Sequence, residues 1–181
     1  MIKPEQIRAL ISRLARLDAA ETWEDALNPT QVAALEYLTR ANRFSRAPSH
    51  VADYLGTTRG TMSQTLKSLE RKGYVIERRS EKDRRSISYD PTEGGRILAA
   101  RRHSLVDAVR ALPDAARIHL GDSLAALLEC QLQANGGRPF GICRTCAHYR
   151  TTRDGSYCAL LSLPLLPEDT DQICHEHVMP A

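Results

Sequence analysis

The 181 residues are 42% hydrophobic and 26% charged, ordinary proportions for a globular chain with one full domain and an appendage. Aromatics make up only 5% while Ala and Leu abound, which disfavours a β-sandwich. The formal net charge of +3 is too small to argue for a polyanionic partner by itself, and no apolar run is long enough to span a bilayer, so no membrane partner is expected.

Charge distribution says more than the total. Residues 40–90 carry twelve Lys/Arg against six Asp/Glu, whereas residues 136–181 carry four Arg against five acids. The positive field is therefore local, as nucleic acid favours. The start, Met1-Ile2-Lys3-Pro4-Glu5-Gln6, lacks the apolar core of a signal peptide, so a cytoplasmic location with reduced thiols is expected. Five cysteines in that setting point to metal or redox chemistry before disulfides.

Residues 4–20 place Ile7, Leu10, Ile11, Leu14 and Leu17 at helical intervals, and the helix they predict carries packing and no chemistry. Asn28-Pro29-Thr30-Gln31 is a helix start, with Asn as cap, Pro at the first position and Gln able to reach back. That helix turns Val32, Leu35 and Leu38 inward, and a basic connector follows over residues 40–46. Pro48-Ser49 opens a short helix that ends at Leu55-Gly56.

The next stretch, residues 57–73, reads as a helix with two faces. Thr58 can cap it and Gly73 can end it in the left-handed conformation. Met62, Leu66 and Leu69 form a narrow apolar stripe. Arg59, Thr61, Ser63, Gln64 and Lys67 occupy the other face, where they can bond to base edges or phosphates. Two alternating segments follow, residues 74–79 and 86–89, joined by the charged tip Ser80-Glu81-Lys82-Asp83-Arg84-Arg85. Two short helices and a basic hairpin make a winged helix-turn-helix.

Leu55-Gly56-Thr57-Thr58-Arg59-Gly60-Thr61-Met62-Ser63, Leu69-Glu70-Arg71-Lys72-Gly73-Tyr74-Val75, Asp83-Arg84-Arg85 and Thr92-Glu93-Gly94-Gly95-Arg96 stand in the order and spacing of the MarR family. Over about residues 4–134 the chain resembles these bacterial winged-helix regulators. The resemblance implies a transcriptional regulator, a repressor rather than an enzyme, that binds double-stranded DNA as a homodimer on a palindromic operator. It also implies a pocket for a small-molecule effector between the DNA lobes and the dimer helices. On this reading Arg59, Thr61, Ser63 and Gln64 face bases, while Lys67, Arg78 and Arg79 hold phosphates. Arg84 and Arg85 reach the minor groove or its backbone, with Asp83 orienting a wing arginine. For any one of these side chains the competing reading is a solvated surface residue; as a set they gather where this fold meets DNA.

A long helical segment is predicted over residues 92–112, with Ile97, Leu98, Leu105 and Val109 on one side. Pro113-Asp114 restarts the helix through Ile118, Leu120, Leu124, Leu127, Leu128 and Leu132. Its apolar surface exceeds what a small winged helix needs, so a second copy is the expected cover. Asn135-Gly136-Gly137 ends it and opens a loop-rich tail.

The tail holds Cys143, Cys146, Cys158 and Cys174, spaced C-x2-C, x11-C, x15-C. A C-x2-C knuckle can chelate one metal through a tight turn, and later thiolates can close a four-ligand shell. Zinc leads as cofactor and an iron–sulfur cluster is the alternative, since the last two cysteines stand far apart. His177 or His148 can substitute for one cysteine, whereas His175 reads as a polar loop residue. Cys130 reads as a buried, inert thiol, with redox sensing as its alternative. The tail is either a structural staple or a sensor; its position directly after the dimer helix suggests, for the sensor reading, that it docks on the dimer helices.

The fold class is thus mainly α with a small β-wing. The organisation is an N-terminal dimerisation helix (1–27), a winged helix-turn-helix (28–92), dimerisation helices (93–135) and a cysteine-rich extension (136–181). An iron–sulfur or thiol-based redox-sensing regulator is the functional alternative. A C-x-x-C redox enzyme ranks below it, because the βαβ context of such enzymes is missing around Cys143-Arg144-Thr145-Cys146.

Overall fold

The computed structural model describes residues 2–21, 27–79, 86–101, 103–153 and 155–180. Its centre is α2 (Pro29–Arg40), started by a reciprocal cap: Gln31 N–H donates to Asn28 Oδ1 at 2.9 Å, and Asn28 N–H donates to Gln31 Oε1 at 3.1 Å. The Gln31 amide also donates to the Ser68 hydroxyl at 2.9 Å, which ties α2 to the fourth helix. α3 (Pro48–Leu55) begins on a proline and stops at Gly56, whose φ of 62° is left-handed.

α4 (Arg59–Arg71) is capped by Thr58, whose hydroxyl accepts from Thr61 N–H at 3.1 Å, a bond of the kind that stabilises a helix by about 1 kcal/mol. Gly73, also left-handed, closes it. Met62, Leu66 and Leu69 are fully buried with Leu35, Leu38, Val51, Val75 and Tyr89. Each such side chain contributes about 1.5–3 kcal/mol of apolar burial. The two-faced helix read from the sequence is therefore present. β1 (Val75–Arg79) and β2 (Ile87–Pro91) pair antiparallel, from Val75 opposite Pro91 to Arg79 opposite Ile87.

The segment expected to be one helix over residues 92–112 is instead two: α5 (Glu93–Ala99) and α6 (Ser104–Arg110). Gly95 lets α5 pack tightly, since a Cβ there would fall 2.2 Å from the Tyr74 carbonyl oxygen. The break has partners of its own. His103 Nε2 lies 3.0 Å from Glu36, with its Nδ1 3.9 Å from Asp18, and Ser104 bonds Glu21 at the end of α1 (Pro4–Glu21). α7 (Asp114–Asn135) restarts after Pro113 and ends at left-handed Gly136.

Neither α1 nor α7 has a buried residue. Ile7, Leu10, Ile11, Leu14 and Leu17 on α1, and Ile118, Leu124, Leu127 and Leu128 on α7, are exposed. Cys130 on α7 is exposed too, which corrects its reading as a buried thiol: the protomer supplies nothing to cover that helix.

The tail has more regular structure than its loop-rich sequence suggests. β3 (Gly141–Ile142) pairs antiparallel with β7 (Ile173–Cys174). β4 (Tyr149–Thr152), β5 (Gly155–Cys158) and β6 (Leu163–Leu165) form an antiparallel sheet, and α8 (Pro167–Thr170) leads into β7. Strands of two to four residues are too short to show an alternating pattern.

Candidate functional site

α4 presents Arg59, Thr61, Gln64 and Lys67 as exposed side chains, with Ser63 half-buried beside them. Their solvent-facing position follows from the burial of Met62, Leu66 and Leu69 on the opposite face. The Thr61 hydroxyl lies 2.8 Å from that of Thr58 and so takes part in the helix cap.

Arg78 and Arg79 on β1 are exposed but already engaged. Arg78 Nε pairs with Asp90 at 3.2 Å, and Arg79 Nε pairs with Glu77 at 2.8 Å. The Arg79 bond, helped by the Tyr89 hydroxyl, holds the Glu77 carboxyl below its usual range. A phosphate must compete with these carboxylates for either arginine. The other wing residues singled out from the sequence, Asp83, Arg84 and Arg85, lie outside the described residues.

The basic connector hides a structural arginine. Arg46 is buried, donates from Nε to the Ala41 carbonyl at 3.0 Å, and pairs through Nη1 with Asp90 at 2.9 Å. Its own carbonyl accepts from Tyr89 N–H at 3.1 Å. Arg46 thus locks the turn between α2 and α3 to the second wing strand. A charge count cannot separate such a residue from a surface cation.

The tail packs on the winged helix, which corrects the expectation that it docks on the dimer helices. Ala41 makes a parallel bridge to Ile173, Asn42 N–H donates to the Ile173 carbonyl at 2.9 Å, and His175 N–H donates to Ser45 Oγ at 2.9 Å. Arg43 Nε pairs with buried Asp169 at 3.3 Å. His175, read from the sequence as a polar loop residue, is only 6% exposed. Its ring stacks on His50 at 3.8 Å, meets Phe140 edge-on, and bonds Asp53 on α3 at 3.2 Å.

Cys143, Cys158 and Cys174 are buried in one cluster, with Cys146 half-buried beside them, and all four are free thiols. Cys143 and Cys146 flank a 3-10 turn in which Cys146 N–H donates to the Cys143 carbonyl at 3.1 Å. Val178 N–H points at Cys146 Sγ from 3.4 Å. Burial, followed by the proximity of Cys174, Cys158 and Cys146, pushes the Cys143 thiol up to about 12. Burial also raises the Cys174 thiol, while Asn42, the Glu176 backbone N–H and Ser45 pull it down.

Asn42 is 1% exposed, and its Nδ2 has no hydrogen-bond partner of good geometry although the side chain lies against Cys174. His177 is bonded to Thr145 at 3.0 Å and packs on Gly141, where a Cβ would fall 2.6 Å from its ring. His148 is half-buried. Among the described residues no three His, Cys, Asp or Glu side chains are arranged to hold a metal ion, so the thiols are grouped without a finished ligand shell.

The MarR family matches residues 27–86, from the first buried leucine of the core to the wing. The fold is the MarR winged helix. The chain is similar to a MarR transcriptional regulator from Methanosarcina mazei Go1, at 25% identity and a TM-score of 0.59, over 72% of this chain and 99% of that one. It is similar to S. aureus MepR solved with DNA, at 20% identity and a TM-score of 0.58, over 72% and 99%. It is also similar to Streptococcus pneumoniae FabT in complex with DNA, at 20% identity and a TM-score of 0.57, over 72% and 95%. No curated protein matches the chain. More than a quarter of this chain lies beyond each of these MarR-fold matches. Among the described residues no helix is long and apolar enough to cross a membrane.

Proposed function

We propose that the chain is a sequence-specific DNA-binding transcriptional regulator, a MarR-type repressor that acts as a homodimer on a palindromic operator. The observation that carries this reading is the division of α4 into a fully buried apolar stripe and an exposed face of Arg59, Thr61, Gln64 and Lys67. A helix held in that way can enter the major groove with its polar face toward base edges. Arg59, Ser63 and Gln64 read bases, and Thr61 contributes through the hydroxyl it shares with the cap. Lys67, Arg78 and Arg79 take phosphates, and Arg84 and Arg85, oriented by Asp83, take the minor groove beside them.

The uncovered apolar faces of α1 and α7 support the dimer. Two copies joined there place their recognition helices about one duplex turn apart, roughly 34 Å. The four-cysteine group supports a metal centre in the tail, with zinc as its metal and Cys143, Cys146, Cys158 and Cys174 as its ligands. An iron–sulfur cluster or a redox-responsive set of thiols is the second reading of the same residues. A small-molecule effector between the lobes fits the fold, and a cytoplasmic site of action fits DNA as the partner.

In-vitro selection from a random duplex library with the full-length chain tests the proposal. A palindromic sequence should be enriched, and Arg85→Ala should bind it more weakly by about 1–3 kcal/mol in a gel-shift titration at fixed salt. Failure to enrich any duplex refutes the DNA-binding reading. Unchanged affinity of the variant removes the wing from it.

A further inference from the structure

The main apolar core is built chiefly from α2, α3, α4, β1 and β2, with Leu98 and Ala99 of α5 packed against it. Among the described residues it takes nothing from α1, α6 or α7. Shared apolar burial therefore does not fix the DNA-reading unit against the helices proposed to dimerise. Polar contacts meet at the break between α5 and α6 instead.

α5 is seated on the DNA-reading unit, where Gly95 lies against Tyr74 and Leu35. α6 is tied to α1: Ser104 N–H donates to Glu21 at 3.0 Å, and the Ser104 hydroxyl bonds the same carboxylate. His103 stands between the two. Its Nε2 lies 3.0 Å from Glu36 on α2, and its Nδ1 lies 3.9 Å from Asp18 on α1. The imidazole is 21% exposed and the Glu36 side chain 29%, so both are largely withdrawn from water.

An imidazole placed in this way is sensitive to its proton. The charged ring donates from both nitrogens, whereas the neutral ring donates from one and turns a lone pair toward the other carboxylate. The charged groups around it are Asp18 and Glu21 on α1, Glu36 and Arg40 on α2, and Asp107 on α6. Burial raises the Glu36 carboxyl above its ordinary value; His103 and Arg40 oppose the rise and Asp18 adds to it. Arg40 directs its Nε at the Glu36 backbone carbonyl, so His103 is the cation that stands between Asp18 and Glu36.

We propose that protonated His103 is the positioning residue of this joint, holding the dimerisation helices on the DNA-reading unit so that paired recognition helices keep the separation an operator requires. This rests on the DNA-binding and dimer readings above. With the proton present, one side chain joins α1 to α2. When the proton leaves to solvent, at most one of the two contacts survives, and Asp18 and Glu36 are left without a cation between them. The angle between the two units then varies more freely, and each DNA complex must restrict it again, which lowers affinity. The benefit is present at low pH and is lost as the pH rises through the range in which imidazole gives up its charge, about 5 to 8.

The test uses the full-length chain and the duplex recovered by the selection above, with affinity read by fluorescence anisotropy at about pH 6 and about pH 8 in one salt concentration. The wild type should bind about fivefold or more tightly at the lower pH. His103→Gln keeps a polar side chain that does not titrate, and its affinity should change by less than about twofold. A second duplex, with its half-sites one base pair further apart, separates positioning from general stability. At the lower pH the wild type should reject it by about tenfold and the variant by about threefold or less.

An equal pH response in the two proteins, or a wild-type response under about twofold, overturns the proposal and leaves the DNA-binding and dimer readings standing. A variant weakened by one common factor at both pH values and on both duplexes also overturns it, since His103 is then a structural residue alone. A chain that binds no duplex overturns the DNA-binding reading, and one that is monomeric in light scattering overturns the dimer reading; either result carries this proposal with it. Should circular dichroism show that His103→Gln does not fold, Asp18→Asn decides, because that side chain is 41% exposed. A pH response cut to about half or less supports the proposal, and a full wild-type response overturns it.

Discussion

Replacing Arg46 by alanine removes one guanidinium that serves two elements. Breaking a buried ion pair costs about 3–5 kcal/mol when the surviving charge has no other partner. Here Asp90 is a third exposed and keeps Arg78 at 3.2 Å, which lowers that part to about 1–2 kcal/mol. The Ala41 carbonyl loses its Nε donor, which adds about 1 kcal/mol. The total of about 2–3 kcal/mol corresponds to a fall in Tm of about 5–10 °C for a chain of this size. The assay is thermal unfolding followed by circular dichroism at one protein concentration, because a dimer's Tm depends on concentration. Arg46→Lys keeps the charge and loses the planar fork, so it should fall between wild type and alanine. A shift for Arg46→Ala of under about 1 °C would show that the turn does not depend on this side chain.

Three further outcomes are expected. Arg59→Ala and Gln64→Ala should each weaken binding to the selected duplex by about 1–3 kcal/mol and relax its sequence preference, whereas Lys67→Ala should weaken all duplexes alike; equal losses on specific and random DNA for all three would contradict the assigned roles. Leu124→Glu combined with Leu128→Glu should shift the chain from dimer to monomer in light scattering, and an unchanged mass would place the dimer contact elsewhere. Glu77 has a folded-state pKa below its ordinary value of 4.5, so its carboxylate stabilises the fold above that pH and the benefit is lost as the pH falls through the folded value. Urea midpoints should accordingly separate wild type from Glu77→Gln at pH 7, and the gap should narrow as the pH is lowered below 4.5; a gap that stays constant on acidification refutes the linkage.

Much of the winged helix could be read in advance because local signals agree with one another. Asn28 and Gln31 announce a cap that then forms, Thr58 and Gly73 bracket α4, and the stripe of Met62, Leu66 and Leu69 turns out fully buried. What could not be read depends on contacts between distant positions. His103 interrupts a helical pattern because Glu36 and Asp18 stand across from it, and neither lies nearby in sequence. Arg46 belongs to the same basic run as Arg43, yet it is buried against the Ala41 carbonyl and Asp90 while Arg43 reaches out to Asp169 of the tail. His175 looks like a loop residue until His50 and Asp53 are brought to it. The cysteine spacing suggests that the thiols converge, but not that Asn42 and Ser45 lie against them.

The bond from His175 to the Ser45 hydroxyl joins positions 130 apart. A ribosome building this chain delivers the helix-turn-helix long before the strand that will latch onto it exists. Segments that emerge first fold first, and pairings across such long loops come late. Every nascent copy must therefore hold its DNA-reading half together for a time without the tail, on contacts within residues 28–92 such as the cap, the buried stripe and Arg46.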